Sequence, residues 1–414
     1  MKDQPTLEGA YHAGKQRWQE TDEEKAFRKL AGFHEIESKM PSIGTKRKST
    51  FVDSFTSYFG KGNPFASPVD ANRHVVWLFD NTAYQEKGSG AWNAEVVSSF
   101  FVKNSGRDES HVIATLASIL GITEDEEAKE TLERRLRPML DTVLPSHTVK
   151  ISIGGDKNDL RKLGPGDRDG ISNDIVTFKG DFKDGETLTS NAVGIKTAMP
   201  LTTTFAAQTG WAVISDIDDT IKKTMTASPI GILRTTFVEE PTPITGMPEL
   251  YKQISVALNN PPFWYLSASP YNLYPFLREF RSAYYPPGTL ILREASWMNL
   301  AGFLTSLTQG TEAYKVDRMK KLQACWPLRK FLCIGDSTQS DPEAYGEMFR
   351  SFPGWIGAIF IRKVVDVEPM DESEKNKPER FEKAFKDVPR EVWTVFDDPK
   401  ELVSRVEQLA TQVI

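Results

Sequence analysis

The sequence predicts an α/β fold, with a doubly wound parallel sheet in the second half of the chain and a β-rich, sandwich-like domain before it. Two observations support this prediction. After residue 211, five short apolar runs alternate with helical patterns, which is typical of parallel strands covered by helices on both faces. Residues 73–204 instead contain short β-like runs and Gly-rich turns around a helical insert at 109–144.

The chain therefore divides into three predicted regions. Residues 1–70 form a polar, partly disordered arm with helical stretches near 20–38, because few apolar side chains are available there for a core. Residues 73–204 form the β-rich domain, and residues 211–414 form the α/β domain.

Individual elements follow from the pattern of apolar residues. In the β-rich domain the predicted strands are 73–79, 91–102, 148–153 and 174–179. Pro138 is expected to kink or end the helix of the insert. In the α/β domain the predicted strands are 211–217, 263–267, 290–293, 331–335 and 357–362. The predicted helices are 247–259, 272–284, 313–325, 341–351 and 398–411. The sequence also predicts a Thr-rich linker from residue 197 and a solvated, charge-rich loop at 363–389.

Composition excludes several functional classes. Of the 414 residues, 39% are hydrophobic and 26% charged, and no apolar run approaches the roughly 20 residues that a membrane-spanning helix needs. The net charge of −6 offers no basic excess, so no nucleic-acid partner is expected. Two cysteines are too few for a disulfide framework, which fits a cytoplasmic protein. No histidine follows His147, which favours carboxylate chemistry in the second half.

Carboxylates follow the first predicted strand of the α/β domain. Asp216, Asp218 and Asp219 stand where the apolar run 211–217 ends, and ligands of parallel sheets bind at this edge. Asp216 and Asp218 point to the same side if the chain stays extended, and two like charges so close require a cation or a shared proton. Oxygen ligands without histidine favour Mg²⁺. The alternative is that Asp-Asp-Thr only caps a helix.

Polar residues follow other predicted strands as well. Ser267 and its neighbouring backbone N–H groups can bind a phosphate oxygen, although a serine before a helix is also a common cap. Asp336 follows Gly335 and can complete a metal site, with Asp341 bracing it. Lys315 opens a helix, where a cation opposes the helix dipole, so a functional role competes with that of a solvated surface lysine.

In this order and spacing, these residues resemble the four motifs of the haloacid dehalogenase superfamily of phosphotransferases, over residues 211–365. More narrowly, three segments are similar to the fungal actin-patch-associated, Mg²⁺-dependent phosphatidate phosphatases. These segments are ISDIDDTIKKT (214–224), FWYLSASPYNLYPFLREF (263–280) and FLCIGDSTQSDPEAY (331–345).

The resemblance implies a role for each residue. Asp216 is the nucleophile that forms an aspartyl-phosphate, and Asp218 is the general acid and base. Ser267 and Lys315 bind the phosphoryl oxygens. The short segments at 221–246 and 294–314 correspond to a small cap that leaves the site open.

The implied cofactor is Mg²⁺, held by the Asp216 carboxylate, the backbone carbonyl of Asp218 and the Asp336 carboxylate. Thr220 and Asp341 are implied as supporting residues that contact these ligands.

The implied activity is hydrolysis of phosphatidate to diacylglycerol and phosphate by an enzyme peripheral to membranes, with endocytic actin-patch proteins as partners. Two alternatives stay open. One is a phosphatase of the same superfamily acting on a phosphoprotein or a soluble phosphate ester, and the other is a non-catalytic cytoskeletal or trafficking adaptor.

Two segments are candidates for contact with a phospholipid surface. In the arm, the basic run 46–48 precedes an aromatic stripe at Phe51, Phe55, Tyr58 and Phe59. The uncharged segment 295–311 is the second candidate. For both, the alternative is packing on the protein's own core. If the arm binds membranes, deletion of residues 1–70 is expected to spare hydrolysis of a soluble phosphate ester and to weaken action on anionic vesicles.

Overall fold

A computed structural model describes residues 18–41, 66–103, 110–167, 169–195, 198–293, 300–365 and 372–412. The strands are β1 (Ser67–Pro68), β2 (His74–Leu78), β3 (Asn81–Gln85), β4 (Trp92–Val102), β5 (Thr142–Val143), β6 (His147–Ser152), β7 (Leu160–Leu163), β8 (Ile171–Phe178), β9 (Thr187–Ala192), β10 (Leu201–Ala206), β11 (Trp211–Ser215), β12 (Phe263–Pro270), β13 (Gly288–Arg293), β14 (Lys330–Asp336), β15 (Ile356–Arg362) and β16 (Trp393–Phe396).

The α-helices are α1 (Asp22–Leu30), α2 (Phe33–Lys39), α3 (Ser110–Leu120), α4 (Glu126–Leu140), α5 (Pro229–Phe237), α6 (Met247–Ala257), α7 (Tyr274–Tyr284), α8 (Leu300–Thr308), α9 (Thr311–Cys325), α10 (Asp341–Ser351), α11 (Glu372–Lys375), α12 (Pro378–Ala384) and α13 (Val403–Ala410). Within the described ranges, every helix is too short or too polar to cross a membrane.

Six strands of the second half form a parallel sheet in the order β13-β12-β11-β14-β15-β16. The central strand β11 pairs with β12 on one side and β14 on the other, and all five of its residues are buried. Continuous apolar strands of this kind need cover on both faces. The prediction of an α/β fold with a parallel sheet is confirmed.

Helices cover both faces of this sheet. Alternate residues of a strand point to opposite faces and pack in two separate cores. Val213 and Leu332 pack in one core with side chains from α6, α7 and α13. Ile214 and Cys333 pack in the other with side chains from α9 and α10. The carboxyl ends of β11, β12 and β14 meet between these layers, and this edge carries the polar residues of the predicted motifs.

The β-rich region forms one connected set of strands, in the order β1-β6-β9-β10-β3-β4-β2, with β5 and β8 on β4 and β7 on β6. Their inward-facing side chains share a core that includes Val76, Val96, Val149 and Phe205. The prediction that the Thr-rich segment is a linker is wrong in part. Leu201–Ala206 is strand β10, which runs parallel to β3 and antiparallel to β9. Its alternate residues are fully buried, so it functions as a strand of this sheet.

The two sheets meet where the β2–β3 turn packs on β13 and α7. The hydroxyls of Thr82 and Thr289 lie 2.7 Å apart, which places β3 beside the edge strand β13. The Asp80 carboxylate accepts two hydrogen bonds from Arg278, at 2.8 and 3.1 Å, and lies 3.4 Å from Arg281. A buried ion cluster therefore joins the β-rich region to the parallel sheet.

Two local expectations are corrected. The insert forms two helices, α3 and α4, and Pro138 lies inside the last turn of α4, which continues to Leu140. A proline there removes one hydrogen bond near the helix end, where the helix stops anyway. The segment 363–389 is more than a solvated loop, because it contains α11 and α12 and buries Phe381 and Phe385 beside the core.

The two predicted membrane-facing segments have different outcomes. The basic run 46–48 and the aromatic stripe that follows it lie outside the described residues. In the second segment, Phe303, Leu304 and Leu307 are buried in the protein's own core. The core-packing alternative therefore holds for these three side chains.

Candidate active site

The loop after β11 makes a sharp turn that is held by Asp219. This residue has a positive φ of 62°. Its carboxylate accepts hydrogen bonds from the backbone N–H groups of Thr224, Met225 and Thr226, at 2.6–2.9 Å, and from the Thr226 hydroxyl. Burial raises the pKa of Asp219, and these donors oppose that shift. Asp219 therefore fixes the turn that presents Asp216 and Asp218.

Lys315 lies in the first turns of α9 and reaches the end of β11. Its Nζ is 2.8 Å from Oδ1 of Asp216 and 2.5 Å from Oδ1 of Asp341, and all three side chains are fully or almost fully buried. Burial opposes the charged ammonium, but the carboxylates of Asp216 and Asp341 raise the pKa of Lys315 above its ordinary value. The lysine is thus a buried cation of the site, and the solvated surface alternative is wrong.

Thr220 connects the two carboxylates at the carboxyl ends of β11 and β14. Its hydroxyl oxygen lies 3.0 Å from Oδ2 of Asp216 and 3.0 Å from Oδ2 of Asp336. Asp336 also accepts hydrogen bonds from the N–H and hydroxyl of Thr338. Oδ2 of Asp341 accepts from the N–H of Asp336 at 3.2 Å. Asp216, Asp336 and Asp341 are therefore held side by side, with Thr220 between the first two.

Asp218 lies in a separate set of hydroxyl donors. Ser267 donates to its Oδ2 at 2.6 Å and Ser269 donates to the same oxygen at 3.1 Å. Thr224 donates to its Oδ1 at 2.8 Å. The sequence singled out Ser267 alone, although Ser269 is in the same SASP segment. Thr224 becomes recognisable only once the chain folds back to Asp218.

A second buried lysine, Lys222, contacts the Thr224 hydroxyl that donates to Asp218. The Nζ of Lys222 donates to the Thr224 hydroxyl at 3.0 Å and to the carbonyl of Lys223 at 3.3 Å. Burial lowers the pKa of Lys222, and the nearby Asp218 and Asp219 carboxylates oppose this shift. Thr224 therefore links an ammonium group to the Asp218 carboxylate, a contact that the sequence did not indicate.

The described part of the site contains more negative than positive groups. Five buried aspartates stand beside two lysine ammonium groups. One carboxylate oxygen from each of Asp216, Asp336 and Asp341 lies within 4.8 Å of the others, a spacing compatible with a shared metal ion. Burial and the neighbouring carboxylates raise the pKa of Asp216 and of Asp336, against the opposing charge of Lys315. A bound divalent cation relieves this repulsion, so the donor set fits a hard metal.

The structure brings all of the predicted site residues together at one edge of the parallel sheet. Both side-chain oxygens of Asp218 already accept hydroxyl hydrogen bonds, and its carboxylate is absent from the described three-aspartate cluster. The prediction placed only the backbone carbonyl of Asp218 on the metal. Asp341, predicted as a supporting residue, is close enough to belong to the cluster itself.

Comparison with known proteins finds a family model that covers this site. Residues 211–363, which hold every site residue described above, match the family model of the catalytic domain of phosphatidate phosphatase APP1. The resemblance predicted from the sequence is confirmed by this match.

Two curated relatives extend the comparison. Phosphatidate phosphatase APP1 of Saccharomyces cerevisiae is 29% identical over 277 residues, which cover 63% of this chain and 45% of the relative. An uncharacterized protein of Schizosaccharomyces pombe is 31% identical over 163 residues, which cover 38% of this chain and 26% of the relative. The aligned part of the chain thus spans less than half of either relative's length.

Proposed function

We propose that this chain is a Mg²⁺-dependent phosphatidate phosphatase that works through an aspartyl-phosphate. The observation that carries the proposal is the match of residues 211–363 to the APP1 catalytic domain, together with the buried cluster of Asp216, Asp336 and Asp341 inside it. The strand order and the motif positions also favour a haloacid dehalogenase-like architecture with a small cap.

In the first step, an oxygen of Asp216 attacks phosphorus, and the bond between phosphorus and the glycerol oxygen breaks. Asp218 gives its proton to that departing oxygen, so diacylglycerol leaves as a neutral alcohol. In the second step, Asp218 takes a proton from water, whose oxygen attacks phosphorus. The acyl-phosphate bond then breaks, inorganic phosphate leaves, and the Asp216 carboxylate is regenerated.

The neighbours of Asp218 support its proton-transfer role. Ser267, Ser269 and Thr224 all donate to its carboxylate, which fixes the orientation of the group. Reorientation of the Ser267 hydroxyl toward substrate removes one of the two donors to Oδ2 of Asp218 and supplies a hydrogen bond to a phosphoryl oxygen. The same serine is thereby able to serve both the acid and the substrate.

Lys315 supplies positive charge beside the nucleophile. Its ammonium donates to Oδ1 of Asp216 at 2.8 Å, and the phosphoryl group of a substrate brings oxygens that compete for the same ammonium. Asp216 and Asp336, with the backbone carbonyl of Asp218, would hold Mg²⁺, with Asp341 beside them. When bound, the metal neutralises charge between the anionic nucleophile and the anionic phosphate.

The proposed substrate places the enzyme at a phospholipid surface, peripheral to cytoplasmic membranes. Endocytic actin-patch proteins remain the predicted partners, on the strength of the family resemblance alone.

A substrate panel tests the proposal. Phosphatidate in mixed micelles, a soluble aryl phosphate and a phosphopeptide are each incubated with Mg²⁺ or with EDTA. We expect release of phosphate from phosphatidate with Mg²⁺ and none with EDTA. Preference for the phosphopeptide or the soluble ester would indicate a phosphatase with another substrate. No turnover of any substrate would leave the adaptor alternative.

A further inference from the structure

Helix α9, which carries Lys315, has no capping side chain of its own. Its N-cap residue is Gly310, with a positive φ of 61°. A side chain at this position is excluded, because a Cβ atom would lie 2.5 Å from Cβ and 2.8 Å from the carbonyl oxygen of Trp18. The first N–H groups of α9 therefore need an acceptor from elsewhere in the chain.

Glu24 of helix α1 supplies that acceptor from the N-terminal region. Its Oε2 accepts from the N–H of Gly310 at 2.9 Å, and its Oε1 accepts from the N–H and the hydroxyl of Thr311, each at 2.9 Å. The same carboxylate accepts from the N–H of Thr21 at 2.9 Å, which completes the capping box of α1. One buried carboxylate thus closes the starts of two helices.

The cap lies one helical turn from the active-site lysine. Thr311 and Lys315 are four residues apart on α9, so they share a face and are separated by about 6 Å along the axis. The Thr311 hydroxyl is also 3.1 Å from that of Ser340, which precedes Asp341 at the start of α10. Glu24 is therefore connected to both helices that carry the Lys315–Asp341 ion pair.

The charge of Glu24 has a second effect. A lysine in the first turns of a helix is opposed by the positive end of the helix dipole, whereas a carboxylate at that end is favourable. Contacts of Arg28 anchor helix α1, which carries Glu24. Arg28, one turn further along α1, is buried, donates to Thr308 at the end of α8, and pairs with Glu37 at 2.7 Å.

We propose that Glu24 is a positioning residue for Lys315, so that residues 20–39 belong to the active-site assembly. The proposal rests on the proposed function, because it takes Lys315 to be the phosphate-binding cation. It also revises the expectation that residues 1–70 can be deleted without loss of hydrolysis of a soluble ester. Removal of the described helices α1 and α2 takes the cap from α9.

The test compares Glu24→Ala and Glu24→Gln with Glu23→Ala in the full chain. Glu23 is the matched control, because it lies on the same turn, is 77% exposed and contacts Lys383 at 3.6 Å. The readouts are kcat and KM for a soluble aryl phosphate, and the inhibition constant of inorganic phosphate. For Glu24→Ala we expect phosphate to bind roughly 10- to 100-fold more weakly, the loss that a misplaced binding group causes. Glu24→Gln keeps one acceptor and is expected between Glu24→Ala and the control.

Asp80→Asn is the control for a purely structural role of Glu24. This variant weakens the ion cluster between the two sheets, and Asp80 has no contact with α9. Phosphate affinity is compared at temperatures where the variants have equal unfolded fractions. If Glu24→Ala binds phosphate as tightly as Glu23→Ala, or is no weaker than Asp80→Asn, the positioning role is wrong.

The outcome also separates this inference from the proposed function. Wild-type protein that hydrolyses the soluble ester but not phosphatidate contradicts the proposed substrate, and the Glu24 comparison still applies. Wild-type protein that hydrolyses both, with Glu24→Ala unchanged, contradicts the positioning role alone. Wild-type protein that hydrolyses neither contradicts both.

Discussion

Two groups of buried charges in this molecule have opposite compositions. At the junction of the two sheets, the single carboxylate of Asp80 faces Arg278 and Arg281 and also accepts from the N–H of Thr202 at 2.9 Å. At the carboxyl end of the parallel sheet, five aspartates face Lys315 and Lys222. In the first group, side-chain cations of the protein are sufficient to neutralise the carboxylate. In the second group, the carboxylates outnumber the lysine ammonium groups.

The difference separates a structural cluster from a functional one. Removing one partner of a compensated ion cluster leaves a buried charge alone, which destabilises the fold. In a cluster with excess negative charge, removing one carboxylate relieves repulsion while it removes chemistry. Substitutions in the two groups should therefore affect activity and stability in opposite ways.

The largest effect is expected from Asp216→Asn and Asp218→Asn. Each should reduce kcat by at least about 10³-fold, because the amide is neither a nucleophile nor a proton carrier. The thermal unfolding midpoint should stay equal or rise. Phosphate release and thermal unfolding, measured on the same preparations, check both parts. Normal turnover by Asp216→Asn would falsify the covalent mechanism.

Asp80→Ala should have the opposite effect. Loss of the carboxylate leaves the buried Arg281 and the partly exposed Arg278 without their shared partner, at a cost of at most about 3–5 kcal/mol of unfolding free energy. At a temperature where the variant is folded, its kcat should match wild type. Urea unfolding and steady-state kinetics measure the two quantities. An unchanged urea midpoint would show that the junction does not depend on this cluster.

Mg²⁺ is expected to stabilise the folded protein by binding at the acidic cluster, and not at the cluster around Asp80. Mg²⁺ at about 100 times its dissociation constant adds about 2.7 kcal/mol to the unfolding free energy of a protein that binds it only when folded. Asp336→Ala should remove this increment and raise the Mg²⁺ concentration needed for activity by orders of magnitude. Thermal unfolding across a Mg²⁺ series gives a readout that is independent of turnover. Equal stabilisation of wild type and variant would remove Asp336 from the metal site.

The smallest effect concerns Glu312 on α9, which is partly buried and faces other acids. Burial, and then Glu343 and Glu347, raise the pKa of Glu312 from 4.5 to about 7. The folded state therefore holds a proton that the unfolded state releases, so stability should fall as pH rises from 4.5 towards 7. The group is partly exposed, so we expect a change below about 1 kcal/mol.

Glu312→Gln should remove this part of the pH dependence. Unfolding midpoints of the variant and wild type, measured across that interval, provide the comparison. Parallel curves for the two proteins would assign the slope to other groups.

The parallel sheet could be predicted because its strands are buried on both sides. Runs such as 331–335 are apolar without interruption, and the carboxylates after them stand at the strand ends where parallel sheets bind ligands. The strands of the β-rich region were harder to predict. β7 and β9 are short and half exposed, and β10 is rich in threonine, so their alternation is weak and their partners are distant in sequence.

The same distinction applies to the site. Asp216, Lys315 and Asp336 could be selected because each lies at a recognisable position in the pattern, at the end of an apolar strand or at the start of a helix. Thr224 and Glu24 could not, because they act through contacts made after folding. Glu24 is 286 residues from Gly310 in sequence, and a glutamate in the first turn of a helix is ordinarily a local cap.

The position of β3 beside the edge strand β13 has a consequence for folding during synthesis of the chain. An uncovered edge strand presents free N–H and C=O groups that can pair with another molecule and start aggregation. The Thr82–Thr289 contact places β3 beside this edge, and β3 leaves the ribosome some 200 residues before β13 is made. The β-rich region can therefore fold first and receive the nascent edge as it emerges. Produced without its N-terminal half, the parallel sheet would expose β13, and we expect such a fragment to self-associate.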